Sequence, residues 1–199
     1  MKPSVPYPQA LTLELVARIR AGDQAAWTDL YSRYRDRLLF AVRCRLGAAL
    51  RLRMESEDIL QSVMLEALGE LPTFVPRGAD SLRHFLHVLI TRKIQDRADT
   101  FGAAKRAGET SLDASGPLAA RTETEVEYTD ARRFVSLERA MARLPDDLRE
   151  VVLLRKVDGL SSAEVAKRLG TTDDVVRKRT SRAMARLTRL ALEEESTAP

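Results

Sequence analysis

Wherever the apolar residues of this chain recur with a period, the period is that of a helix. Trp27, Leu30, Tyr31, Tyr34, Leu38 and Val42 fall three or four positions apart, with Arg33, Arg35, Asp36 and Arg37 between them. Ile59, Leu60, Val63, Met64, Ala67 and Leu68 repeat the pattern after Ser56, and Leu82, Phe85, Leu86, Leu89 and Ile90 repeat it after Ser81. Such spacing places an apolar stripe on one side of a helix and leaves the other side polar. No stretch alternates in the manner of a half-buried strand. Ala, Leu and Arg are abundant and aromatics make up 5%, a balance that favours helices. The expected fold class is all-α.

Punctuation along the chain predicts two small helical domains joined by a flexible acidic linker. Pro3, Pro6 and Pro8 mark residues 1–9 as a loose leader. Residues 10–100 read as the first helical domain, in which Gly22-Asp23 ends one helix and Asp23 caps the next. Pro72 and the Pro76-Arg77-Gly78 stretch close its third helix in a loop. Between 101 and 133 the helical pattern lapses. Gly102, Gly108, Ser111, Ser115, Gly116 and Pro117 punctuate this stretch, and its Thr-Glu-Thr-Glu-Val-Glu run repels itself, so it reads as a linker that is at least partly disordered. Residues 134–192 form the second domain, and 193–199 a flexible tail.

Charge follows the same division. Residues 108–131 carry six acids against one base, whereas 134–190 carry thirteen bases against eight acids and 10–107 sixteen against twelve. Two mildly basic blocks flank an acidic joint, which raises the prior for a polyanionic partner without choosing DNA over RNA.

The second block is the more informative. Pro145 suits a helix start, with Asp146 and Asp147 in the first turn. Asp158-Gly159 ends that helix, Ser161 or Ser162 caps a short one, Gly170 terminates it, and Thr172 caps a long final helix. A capped short helix, a tight turn and a longer second helix make the grammar of a helix-turn-helix. In the last helix Val176, Thr180, Ala183, Leu187 and Leu190 share one stripe, while Arg177, Lys178, Ser181 and Arg182 share the other. The major groove admits one helix, whose N-terminal residues reach base edges. A basic face on an ordinary three-helix domain would carry the same charges, so charge alone leaves both readings open; caps, turn and stripe together favour DNA.

Other function classes are excluded more simply. No nucleophile–base–acid set, Walker loop or dinucleotide glycine fingerprint is present, so the chain is not expected to be an enzyme. Cys44 is the one cysteine, which rules out an internal disulfide framework and a cysteine-based zinc site and points to a reducing cytoplasm. His84 and His87 lie three apart with no third ligand in view, so no metal and no cofactor are expected. The longest clean apolar run, Leu38 to Val42, is too short to cross a bilayer.

The sequence also resembles a known family. "LERAMARLPDDLREVVLLRKVDGLSSAEVAKRLGTTDDVVRKRTSRAMARLTRL" (Leu137–Leu190) looks like region 4 of the bacterial sigma factors, most of all the extracytoplasmic-function group of the sigma-70 family. "AWTDLYSRYRDRLLFAVRCRL" (Ala26–Leu46) is similar to that family's region 2.1, "ESEDILQSVMLEAL" (Glu55–Leu68) to its region 2.2, and "SLRHFLHVLITRKIQDRA" (Ser81–Ala98) to its regions 2.3 and 2.4. The acidic joint sits where these proteins have only a linker.

The resemblance implies a factor that binds core RNA polymerase, through the β′ clamp helices and the β flap, and directs promoter recognition and transcription initiation. Asp58, Gln61, Ser62 and Leu65 would meet the clamp helices; the family's motif has an acid where this chain has Ser62. Phe74, Arg77, His84, Arg92, Lys93 and Arg97 would read the −10 element. Thr172, Arg177, Lys178, Ser181 and Arg182 would read the −35 element. An anti-sigma factor is a further implied partner. The acids Glu123, Glu125, Glu127 and Asp130 are expected either to mimic nucleic acid in a basic polymerase channel or to act as a solubilising linker. The alternative function is a helix-turn-helix regulator without a sigma role, which would have no need of the Glu55–Leu68 motif.

Overall fold

The computed structural model describes residues 9–46, 50, 54–76, 81–106 and 128–197, and these are helical or in short connections with no strand among them. The first block comprises α1 (Gln9–Arg20), α2 (Gln24–Arg45), α3 (Ser56–Glu70) and α4 (Ser81–Arg106). α2 is its centre: α1, α3 and α4 all pack on it, and α3 and α4 pack on each other. The stripes read from the sequence meet there, with Leu30, Leu38, Ile59, Leu60, Leu86 and Ile90 fully buried. Gly22, at φ 87°, makes the turn between α1 and α2. Asp23 then accepts from the amides of Ala25 and Ala26 at 2.9 and 3.2 Å, which satisfies two of the donors a helix start leaves unpaired.

The second block comprises α5 (Tyr128–Ala142), α6 (Asp146–Val152), α7 (Ser162–Arg168) and α8 (Asp173–Thr197). α8 packs against α5, α6 and α7. Pro145 occupies the cap position of α6, with Asp146 and Asp147 in its first turn. α6 does not stop at Val152. It widens into one π-helical turn, Leu153–Val157, and the Asp158 amide donates back five residues to the Leu153 carbonyl at 2.9 Å. A π turn inserts an extra residue and rotates the residues after it about the helix axis. Here it turns Asp158 inward.

The two blocks touch. Phe40 and Cys44, on α2, are buried in the same apolar cluster as Ala140, Met141, Leu144 and Leu187 of the second block. The rings of Phe40 and Phe134 lie 5.5 Å apart, within the range of favourable aromatic pairing.

Part of the stretch read as a linker at 101–133 is helical. α4 runs on through Gly102 to Arg106, and α5 begins at Tyr128 instead of near Val135. The helix pattern of 81–98 propagates past its apolar positions because propagation adds a hydrogen bond for each residue fixed. α8 continues to Thr197, into the stretch read as a tail, and α1 begins at Gln9, the last residue read as leader. Glu123, Glu125 and Glu127 lie outside the described residues, as does Arg77.

Candidate nucleic-acid interface

The helix-turn-helix is built from local signals. Ser161 caps α7 by accepting from the Glu164 amide at 3.2 Å, and Glu164 answers by accepting from the Ser161 amide at 2.7 Å, the reciprocal pair of a capping box. The hydrogen bonds of Ser161 pull the Glu164 carboxyl below its ordinary range. Gly170, at φ 61°, takes the left-handed turn that ends α7. Thr172 caps α8, its hydroxyl accepting from the Val175 amide at 3.4 Å.

Val176 then enters a small apolar cluster with Val151, Leu154, Val165 and Ala166. That contact fixes the rotation of α8. Ala183, Leu187 and Leu190 are buried on the same side, and the Thr180 hydroxyl is spent on the Val176 carbonyl at 2.7 Å. Arg177, Lys178, Ser181 and Arg182 are all exposed on the opposite side.

Arg177 pairs with Asp173 at 2.5 Å and Lys178 with Asp174 at 2.8 Å, each one turn back along the helix. The two cations are 72% and 74% exposed. Exposed pairs of this type are worth about 0.3–0.5 kcal/mol, so a phosphate or a base edge can displace the acids at little cost. Arg179 leans back toward Asp147 on α6, at 3.8 Å.

On α3, Asp58, Gln61 and Leu65 are exposed and Ser62 half-buried, one contiguous outer face. Leu65 is 71% exposed and Leu68 38%. The inner face, Ile59, Leu60, Val63, Met64 and Ala67, is buried against α2 and α4. Arg35 of α2 holds the start of α3 through Glu57 at 2.6 Å.

The residues expected to meet the −10 element are less uniform. Phe74 is half-buried and its ring sits 5.1 Å from that of Phe85. Arg92 is ion-paired with Glu66 and, at 3.3 Å, with Glu70; Lys93 reaches Glu66 at 2.7 Å. These two cations brace α4 against α3. His84 and Arg97 are exposed on α4.

One group escaped the sequence reading. Asp158, seen there as a helix-ending residue, is 6% exposed and ion-paired with Arg45 at the end of α2. Burial pushes its carboxyl up, partly offset by Arg45. His87 Nδ1 lies 3.5 Å from the same carboxylate without a hydrogen bond. Burial, with Arg45 and Arg83 beside it, pulls the His87 imidazole down to about 3, so it is neutral near pH 7. No local sequence signal marks this cluster, because Asp158 meets Arg45 from 113 residues away.

No helix among the described residues is long and apolar enough to cross a membrane. Among the same residues no group of three or more His, Cys, Asp and Glu side chains is placed to hold a metal ion.

Comparison with known proteins agrees with this geometry. The sequence profile of sigma-70 region 4 matches residues 134–187. The ECF RNA polymerase sigma factor SigM of Mycobacterium tuberculosis is 32% identical over 183 residues, covering 89% of this chain and 83% of the relative. SigD of the same species is 29% identical, covering 87% and 80%, and BldN of Streptomyces coelicolor 28%, covering 95% and 69%. The solved structure of CnrH, in complex with the cytosolic domain of CnrY, superposes with a TM-score of 0.50 at 21% identity, over 94% of this chain and 99% of that one, and so shares the fold. With nearly a third of residues identical to SigM over most of both sequences, the chain belongs to the ECF sigma factors of the sigma-70 family, which bind RNA polymerase and direct transcription initiation at promoters.

Proposed function

We propose that this sigma factor divides its work between its two helical blocks. The second, taken from the start of α5 at residue 128, reads the −35 element with Thr172, Arg177, Lys178, Ser181 and Arg182. The observation that carries this is the orientation of α8: Val176 and Ala183 are fully buried while the four polar side chains face outward from the first turns of a capped helix. An arginine there can bind guanine through two hydrogen bonds, worth about 1–3 kcal/mol of discrimination. Thr172 caps the helix, whose amino end favours a phosphate.

The first block, to residue 106, docks on core polymerase through Asp58, Gln61, Ser62 and Leu65. A Leu as exposed as Leu65, set between polar residues on a helix whose other side is buried, is what a docking surface presents. A helix-turn-helix regulator without a sigma role has no use for that face. The −10 element is assigned to the outer side of α4, with His84 and Arg97 available and Arg92 within reach once it leaves Glu66. Phe74 keeps its place on Phe85, and Lys93 serves chiefly to hold α3.

The chain performs no bond chemistry; polymerase does, and both act in the cytoplasm, where the promoter is. CnrH is solved with a bound protein partner, which supports an anti-sigma factor as a further partner here. The −35 assignment is tested by promoter footprinting with core polymerase. Arg177→Ala and Arg182→Ala are expected to erase upstream protection and leave polymerase binding intact. Unchanged protection in both would remove α8 as the reader.

A further inference from the structure

The seam between the two blocks contains a histidine in an unusual position. His87 is 4% exposed, and its Nδ1 is buried with no hydrogen-bond partner. Cations face it from two helices, Arg45 from α2 and Arg83 from α4 itself, and the His84 ring of α4 lies nearby. Among the described residues the one carboxylate at hand is Asp158 of the second block, already committed to Arg45. Arg168 of α7 lines the neighbouring cleft with Asp158, and Glu150 of α6 lies on its far side. Arg83 passes so close over Gly159 that a Cβ there would collide with its guanidinium. Beside this polar cluster, Phe40 and Cys44 are buried against α5, and Arg43 reaches Glu138 at 3.2 Å.

With His87 neutral the seam already holds Arg45 and Arg83 against the one carboxylate of Asp158. A proton on His87 would add another cation to Arg45 and Arg83, opposite a single carboxylate, at a largely buried position.

We propose that the Arg45–Asp158–His87 seam is an acid-releasable latch that holds the second block against α2 and α4. Its consequence comes from where it closes. His84, Val88 and Arg92 of α4 face Leu160 and Arg168 across a cleft of about 160 Å³, so the closed chain keeps the outer side of α4 beside the second block. The two promoter elements, some 25 base pairs apart by their names, are separated by about 85 Å of B-DNA at ~3.4 Å per base pair. A compact chain of this length has a radius of gyration of only about 16 Å. Reading both elements therefore requires the latch to open. The latch rests on the packing alone; its effect on promoter reading rests on the assignment of α4 made above.

The direction with pH is fixed. In the closed form His87 titrates at about 3; in the open form it returns to 6.5. The closed form is fully favoured above pH 6.5 and loses that advantage as pH falls toward 3, by about tenfold per unit. Asp158, pushed up by burial, titrates with the opposite sign, so the histidine must be isolated by substitution.

Cys44 reports the state, being the one cysteine in the chain and buried in the seam. The experiment labels it with a disulfide reagent across pH 5.5–7.5, each rate divided by that of the denatured chain at the same pH. Protection is expected to fall about tenfold as the pH is lowered from 7.5 to 5.5. The chain has two histidines. His84→Gln, at an exposed position, should keep the slope and His87→Gln should abolish it. Asp158→Asn should raise labelling at every pH, with the helical circular dichroism unchanged. A slope that His87→Gln leaves unchanged, or one lost in His84→Gln, overturns the latch. If Asp158→Asn opens the chain but gives no gain in affinity for single-stranded promoter DNA over a scrambled strand, the latch stands and the assignment of α4 falls.

Discussion

Arg177 and Lys178 are exposed cations resting on acids one turn earlier, whereas Arg45 is a buried cation resting on Asp158, the one acid among the described residues that reaches it. The same ion pair has opposite consequences in the two settings. Arg177→Ala and Arg182→Ala should leave thermal stability within about 0.5 kcal/mol, as surface changes usually do. Each should cost about 1–3 kcal/mol of promoter discrimination, read as a roughly 5- to 150-fold loss in binding to a −35 duplex relative to a scrambled one. Asp158→Ala should leave the −35 face of α8 chemically unchanged but strand Arg45 in the seam. Losing one partner of a buried pair costs about 3–5 kcal/mol, visible as a lowered melting temperature. The double variant Arg45→Ala/Asp158→Ala should cost less than the two single changes added together. Arg177 could be picked from the sequence because its role depends on neighbours three and four positions away. Asp158 could not, because its partner is 113 residues distant and nothing local announces it.

The best-read element is also the most locally determined. Ser161, Glu164, Gly170 and Thr172 specify the two helices of this unit through contacts within a few residues; Ser161, Gly170 and Thr172 take the roles their spacing implied, and Glu164 adds the reciprocal bond of a capping box. Ser161→Ala should therefore cost about 1 kcal/mol and Gly170→Ala about 1–2 kcal/mol, measured by urea denaturation with unchanged slope. The inner stripes of α2, α3 and α4 were equally legible from their period. What was not legible was where α4 and α5 end. Glycines and like charges argued for a break at 101–133, but helix propagation carried α4 to Arg106 and α5 back to Tyr128. The π turn at Leu153–Val157 was invisible because it depends on packing, not on any residue that favours it. α3 offers a prediction of its own. Leu65→Asp changes a side chain that is 71% exposed, so it should leave folding intact and sharply weaken co-purification with core polymerase. Unimpaired co-purification would move the docking surface elsewhere.

At the scale of the whole chain, the fold class and the order of the two blocks were legible from period and charge, and the family from motifs spread over both. Their mutual packing was not. Phe40 and Cys44 lie off the stripe that the spacing of α2 marks, and the second block covers them. The chain thus presents the basic face of α8 and the outer face of α3 while keeping the blocks together. The central claim is that it acts as a promoter-recognition subunit of RNA polymerase, and run-off transcription with purified core enzyme tests it most directly. Adding this chain to core polymerase and a library of promoter fragments should yield discrete transcripts from a shared −35/−10 pair, transcripts that disappear with Arg177→Ala/Arg182→Ala. Failure of the chain to bind core polymerase, under conditions where another sigma factor binds it, would contradict the account.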